Sequence, residues 1–217
     1  MPPLIVDYGL GNLFSISRAL RRVGGREVEI TSDPARIATA QRLVLPGVGA
    51  FGDGMRGLRE RGLLDAVKAF AATGRPLLGI CLGMQLLMDE GTEFGVHPGL
   101  GLIAGRTVPF PAAEGRALKI PHVGWNGLAD PRGRRDWAGT LFEGLSADSQ
   151  VYFVHSFVAA PTDGADTLAV SAYGGKTFCA ATRRGNIYGC QFHPEKSGNA
   201  GLRILKNFLN IAQETTP

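Results

Sequence analysis

The chain has 217 residues, of which 44% are hydrophobic and 19% charged, enough for one α/β domain with a substantial core and too few for two. This composition excludes a disordered chain, and no uninterrupted apolar run reaches membrane-spanning length. The formal net charge of +4 is spread over "RALRR", "RGLRER", "PRGRRDW" and "TRRGN" without interleaved aromatics, which reads as solvated surface rather than a nucleic-acid footprint.

A single domain over 1–217 is expected. The start "MPPLIVDYGLGNL" lacks the basic, apolar and small-residue segments of a secretory leader, so a cytoplasmic location is expected. Cys81, Cys179 and Cys190 are odd in number and lack C-x-x-C spacing, which argues against a disulfide framework or a structural metal.

In chain order, "LIVDY" reads as a buried strand. The segment "NLFSISRALRRV" places Leu13, Ile16, Leu20 and Val23 at helical spacing before the stop "GG". "EVEIT" is a strand, "SDPARI" opens a short helix with Pro34 in its first turn, and "QRLVLPG" is the next strand. "GMRGLRERGLLDAVKAFAATG" reads as helix with a break near Gly62, followed by strand "RPLLGI" and helix "LGMQLLMDEG". Buried strands alternating with helices predict a mostly parallel sheet covered on both faces.

The second half is strand-like in "RTVPF", "KIPHVGWNGL", "VYFVHSFVA", "TLAVSAY", "KTFCAATRR" and "NIYGCQF", which suggests antiparallel strands added beside the parallel sheet. In the closing "GLRILKNFLNIA", Leu202, Leu205, Leu209 and Ala212 predict the buried face of a last helix. Two motif fragments fail on context. "GLGNLF" has Phe14 where a dinucleotide fingerprint needs its third glycine, and "YGGKTF" lies between strands, where a phosphate loop must lead into a helix. Gly174 and Gly175 read instead as a hairpin turn.

The chemistry concentrates in three places. "GICLG" sets Cys81 between Gly79 and Gly83 at a strand-to-helix turn, where a sharp elbow needs small neighbours and a helix N-terminus favours thiolate. By itself Cys81 reads equally well as a buried core cysteine, as Cys179 and Cys190 do. "QFHPEKSG" places His193 after an apolar run, with Glu195 two residues on. In extended backbone both side chains would point to one side, so imidazole and carboxylate could meet locally. "LVLPGVGAF" ends a strand in a glycine-rich turn, Gly47, Val48 and Gly49, whose peptide N–H groups could form an oxyanion hole with that of Leu82.

An oxyanion turn, a G-x-C-x-G elbow and a late H-P-E, in that order, resemble the class I, triad-type glutamine amidotransferases over essentially the whole chain. "DYGLGNLFSISRAL", "PGVGAFGDGM", "IPHVGWN", "YFVHSF" and "FHPEKSGNAGLRILKNF" narrow the resemblance to the glutaminase subunits of imidazole glycerol phosphate synthases. H-P-E-K speaks against the anthranilate and aminodeoxychorismate synthase glutaminases, where H-P-E-S is more usual. A non-catalytic module on this fold would be expected to lack a triad member, and a cysteine peptidase or thioesterase remains a rival.

The resemblance implies a flavodoxin-like α/β fold. It makes Cys81 the nucleophile, His193 the general base and acid, and Glu195 its orienting partner. It implies an oxyanion hole of Val48, Gly49 and Leu82, and glutamine contacts at Gly47, Gln85, His155, Ser156 and Phe157. No metal or organic cofactor is expected for this step. A (β/α)8-barrel cyclase subunit is the implied partner, with Asn12, Arg18, Trp125, Tyr152 and Lys196 on the shared face. The neighbours of Trp125, "GWNG", read as loop.

Overall fold

The computed structural model describes residues 2–24, 27–111, 118–133 and 137–212. β1 (Leu4–Val6) leads to α1 (Leu13–Arg22), and β2 (Glu29–Thr31) to α2 (Pro34–Thr39). β3 (Leu43–Gly47) leads to α3 (Phe51–Glu60) and α4 (Leu63–Ala71), and β4 (Leu77–Cys81) runs straight into α5 (Leu82–Leu86). The middle of the chain holds β5 (Glu90–Gly91), β6 (His97–Pro98), β7 (Gly105–Pro109), β8 (His122–Gly127), β9 (Gln150–His155) and β10 (Phe157–Pro161). β11 (Thr167–Tyr173), β12 (Lys176–Arg184), β13 (Ile187–Cys190) and α6 (Gly198–Asn210) complete it.

The main sheet has seven strands in the order β11-β12-β13-β4-β3-β1-β2. β2, β1, β3, β4 and β13 are parallel, and β12 and β11 are antiparallel additions at one edge. β3 and β4 are buried at every position, as their unbroken apolar runs require in a sheet covered on both faces. Ile5, Val44, Leu78 and Ile80 face one core with α1 and α6. Leu4, Val6, Leu43, Leu45 and Leu77 face the other with α3, α4 and α5.

Local chemistry explains the helix boundaries. Asn12 caps α1 by accepting from the Ser15 N–H at 3.2 Å, and Asp33 caps α2 by accepting from the Ala35 N–H at 2.9 Å. The predicted break near Gly62 is present: Gly62 has φ of 66° and separates α3 from α4. Gly174 and Gly175, with φ of 57° and 78°, turn the β11–β12 hairpin as expected.

Several expectations change. The piece "VYFVHSFVA" is two strands, β9 and β10, which break at Ser156 and belong to different sheets. β13 joins the parallel core beside β4 rather than the antiparallel additions, because a strand reached through the β11–β12 hairpin re-enters beside an open parallel edge. β8 extends through Trp125 to Gly127 in antiparallel register with β9, so "GWNG" is strand and not loop. The helix after Cys81 stops at Leu86. The buried face of α6 is Gly201, Ile204, Leu205 and Phe208, while Ala212 lies beyond the helix and is exposed. The aromatic Phe208 and β-branched Ile204 override the spacing of the leucines. The short β5 and β6 were not legible, being two residues each.

Candidate active site

Cys81 sits at the carboxyl end of β4 with φ 54° and ψ −110°, a conformation that costs a non-glycine residue about 1–3 kcal/mol. The glycines around it make this turn possible. A Cβ on Gly83 would collide with the carbonyl oxygen of Leu45, and one on Gly79 would lie 2.7 Å from the carbonyl oxygen of Gly83. The tight turn carries the chain from strand to helix, and Cys81 remains 7% exposed.

The sheet brings the other chemistry to this end. β13 pairs with β4 so that Cys190 lies opposite Ile80, and the chain reaches His193 three residues later. His193 Nδ1 donates to Glu195 Oε1 at 2.9 Å, with the two side chains 3% and 2% exposed. The predicted pair is present, but its geometry differs from the expectation. Pro194–Lys196 form a 3-10 turn, so the carboxylate folds back onto the imidazole instead of projecting from extended chain. Pro194 suits the first position of such a turn because it has no N–H to satisfy.

His193 Nε2 is buried with no hydrogen-bond partner among the described residues, which leaves that nitrogen for the proton of Cys81. Burial disfavours the imidazolium, but Cys81 and Glu195 together outweigh it and push the pKa up to about 9. Replacing Glu195 by Gln removes one of these two groups. Imidazole ¹⁵N NMR is expected to show His193 titrating near pH 9 in the native chain and lower in Glu195→Gln. An unchanged value would dissociate the pair electrostatically. By linkage, the stability this charge gives is full below the ordinary value of 6.5 and lost as pH rises through about 9.

A cleft of about 480 Å³ opens over Cys81 and His193. Val48, Gly49, Leu82, Gln85, His155, Ser156 and Phe157 all line it, so the expected oxyanion and substrate residues converge there. Gly49, with φ of 111°, holds the "PGVG" turn in a conformation that suits glycine. Gly47 is the exception. It lies behind the turn, in register with Cys81, where a Cβ would strike the Tyr8 hydroxyl, and it is absent from the lining. Its contribution is the close approach of β3 to the elbow.

Two further residues belong to the site. Glu93 lines the cleft, and its Oε2 accepts from the Phe51 N–H at 2.9 Å at the start of α3. It follows the unread β5, so no periodicity marked it. Gln191, fully buried, accepts at Oε1 from Gln85 Nε2 at 3.1 Å and donates from Nε2 toward Cys81 Sγ at 3.8 Å. Its place beside His193 in "CQFHPE" was the available signal. Cys179 and Cys190 are buried away from the cleft, and burial pushes the Cys179 thiol up to about 12, as inert core cysteines require.

Of the expected docking residues, Trp125, Tyr152 and Lys196 form one cluster. The Trp125 and Tyr152 rings meet at 5.8 Å, and Lys196 Nζ lies 5.9 Å from the Tyr152 ring. Trp125 is 50% exposed, which excludes the core role usual for tryptophan. Arg18 is exposed on α1 and shares a small cavity with Glu195. Asn12 is exposed too, but its side chain already caps α1, a role worth about 1 kcal/mol.

Among known proteins, the class-I glutamine amidotransferase family matches residues 4–212. The imidazole glycerol phosphate synthase subunit HisH 1 of Legionella pneumophila (strain Lens) is 49% identical over 209 residues, spanning 95% of this chain and 98% of that protein. The HisH subunit of Syntrophotalea carbinolica is 48% identical over 208 residues, spanning 94% and 98%. Among solved structures, a glutamine amidotransferase superposes with a TM-score of 0.71 at 22% identity, covering 96% of this chain and 97% of that one. PurLQS from Thermotoga maritima superposes with a TM-score of 0.70 at 19% identity over 96% and 97%, a likeness of fold. With the family matched across nearly the whole chain and the cysteine elbow in place, this protein belongs to the class-I glutamine amidotransferases.

Proposed function

We propose that the chain is the glutaminase subunit of an imidazole glycerol phosphate synthase, supplying ammonia for histidine biosynthesis, and that it works as a single domain over 1–217. The observation that carries this reading is the meeting of Cys81 and His193 at one cleft, with Glu195 hydrogen-bonded to His193, in a chain nearly half identical to HisH subunits. His193 Nε2 takes the thiol proton, and Cys81 Sγ then attacks the side-chain amide carbon of glutamine beside the imidazolium. His193 returns that proton to the departing ammonia, and water then hydrolyses the glutamyl thioester. Glu195 holds the imidazole in the required tautomer.

The peptide N–H groups of Leu82 and of the Val48–Gly49 turn stabilise the oxyanion, each worth ~2.7 to 4 kcal/mol if donated in full. Gln85 and the 155–157 corner hold the amino-acid end of glutamine, with the Glu93 carboxylate facing its ammonium. Free ammonia would be protonated in water, so the product is handed directly to a synthase. A (β/α)8-barrel cyclase subunit docks over the exposed Trp125, Tyr152 and Lys196 cluster, with Arg18 and Asn12 at its margin. Reduced cysteine chemistry supports a cytoplasmic setting. Among the described residues, no helix is long and apolar enough to cross a membrane.

Reconstitution tests the assignment. With a barrel cyclase, the chain is expected to give a one-to-one complex that forms imidazole glycerol phosphate from glutamine. Failure to bind it, together with binding to a chorismate-using synthase, would overturn the reading.

A further inference from the structure

A chain of hydrogen bonds, buried at its two imidazoles, runs from the glutamine cleft into the β8–β9 pair. His155 Nδ1 lies 2.9 Å from the carbonyl oxygen of Phe157, an acceptor, so this nitrogen bears a proton. At the other end, His122 Nε2 lies 2.8 Å from Asn126 Oδ1. The Asn126 amide cannot present its nitrogen instead, because Nδ2 donates to the carbonyl oxygen of Ala172 at 2.8 Å. His122 Nε2 therefore bears a proton as well. Between the rings, His122 Nδ1 and His155 Nε2 are 3.0 Å apart, a contact that needs one proton. The complete chain thus requires three protons on four nitrogens, and two neutral imidazoles carry only two.

The surroundings set when the third proton is present. His122 is fully buried, stacked on Tyr173 at 4.0 Å and on Phe153 at 5.1 Å. His155 packs on Phe110 and Phe178. The Tyr173 hydroxyl is turned away, donating to the carbonyl oxygen of Lys119. Among the described residues, the charged group that acts on His155 from outside the pair is His193, whose imidazolium disfavours a second positive charge. Burial lowers both histidines, His155 to about 4, which favours a neutral pair carrying one proton fewer than the full chain requires.

The cleft supplies a reason for the missing proton to arrive. Among the described residues its lining includes the carboxylate of Glu93 but no lysine or arginine, and His193 is held at Nδ1 by Glu195 with its charge coupled to Cys81. An amino acid bound there brings a carboxylate whose counter-charge must come from peptide N–H groups or from His155. We propose that His122 is a positioning residue for glutamine, and that glutamine binding draws one proton into the His122–His155 pair, completing the chain and setting a positive charge behind the carboxylate. This rests on the assignment of glutamine as substrate.

Calorimetry on the full chain carrying Cys81→Ala, in two buffers of different ionisation heat at neutral pH, tests both levels separately. Glutamine is expected to bind with uptake approaching one proton. Adding His122→Asn is expected to remove most of that uptake and to weaken binding about tenfold, the loss of one charge-assisted hydrogen bond. Imidazole ¹⁵N NMR on Cys81→Ala with both histidines intact is expected to show a third ring proton on the pair only with glutamine present. Binding without uptake, uptake unaltered by His122→Asn, or two ring protons in both states overturns the inference. No binding of glutamine at all overturns the substrate assignment instead.

Discussion

Replacing Cys81 by Ala abolishes glutamine-dependent synthesis by the complex, by at least about 10³-fold, and leaves synthesis from added ammonium intact. The sulfur is the atom that bonds to the amide carbon, whereas ammonium bypasses that step and needs only the cyclase. Cys81 is small and lies at the elbow, and its contacts to the carbonyl oxygen of Val154 at 3.9 Å and from Gln191 at 3.8 Å are long. Alanine also keeps the backbone φ of 54° no worse than cysteine does, so the fold survives. The measurement is product formation with each nitrogen source. Retained glutamine-dependent turnover would sink the mechanism, and loss of both activities would show that the variant disrupts docking.

The second large effect is on stability. Gly83→Ala directs a methyl group into the carbonyl oxygen and carbon of Leu45, which are backbone atoms of a central strand. No side chain can swing away to relieve the clash. The expected loss is about 4 kcal/mol or more, read by denaturant unfolding, with Cys81 displaced in whatever folded protein remains. Gly62→Ala is the matched control. Gly62 also has a positive φ, 66°, but nothing lies within 4 Å of a Cβ there, so its cost is the backbone strain alone, about 1–2 kcal/mol. Equal losses in the two variants would refute close packing as the reason for the elbow glycines.

Where the sequence was legible, the residues carry their own geometry. Unbroken apolar runs in β3 and β4 identify strands covered on both faces, and Gly62 marks a helix break whatever surrounds it. The elbow was legible because Gly79 and Gly83 answer to a steric demand within a few residues of Cys81. Side-chain spacing was weaker evidence. On α6 the leucines at 202 and 209 are only partly buried, since the helix orients Ile204 and Phe208 inward, and no pattern within the segment specifies which apolar stripe meets β9 and α1.

The remainder of the site depends on contacts far apart in the chain. Glu93 enters the cleft because β5 and β6 fold the segment over the start of α3, and a carboxylate between two-residue strands has no periodic signature. His155 meets His122 because β8 and β9 pair in a register that spans more than twenty intervening residues. By itself, the sequence determined the parallel core, the strained cysteine turn and the local histidine–glutamate pair, all set by steric and hydrogen-bonding needs of near neighbours. Tertiary structure alone decided that β13 lies beside β4, bringing His193 to Cys81, and that His155 in the cleft wall meets the buried His122 behind it. Strand order and register are long-range choices, fixed by which faces must be buried together rather than by any one segment.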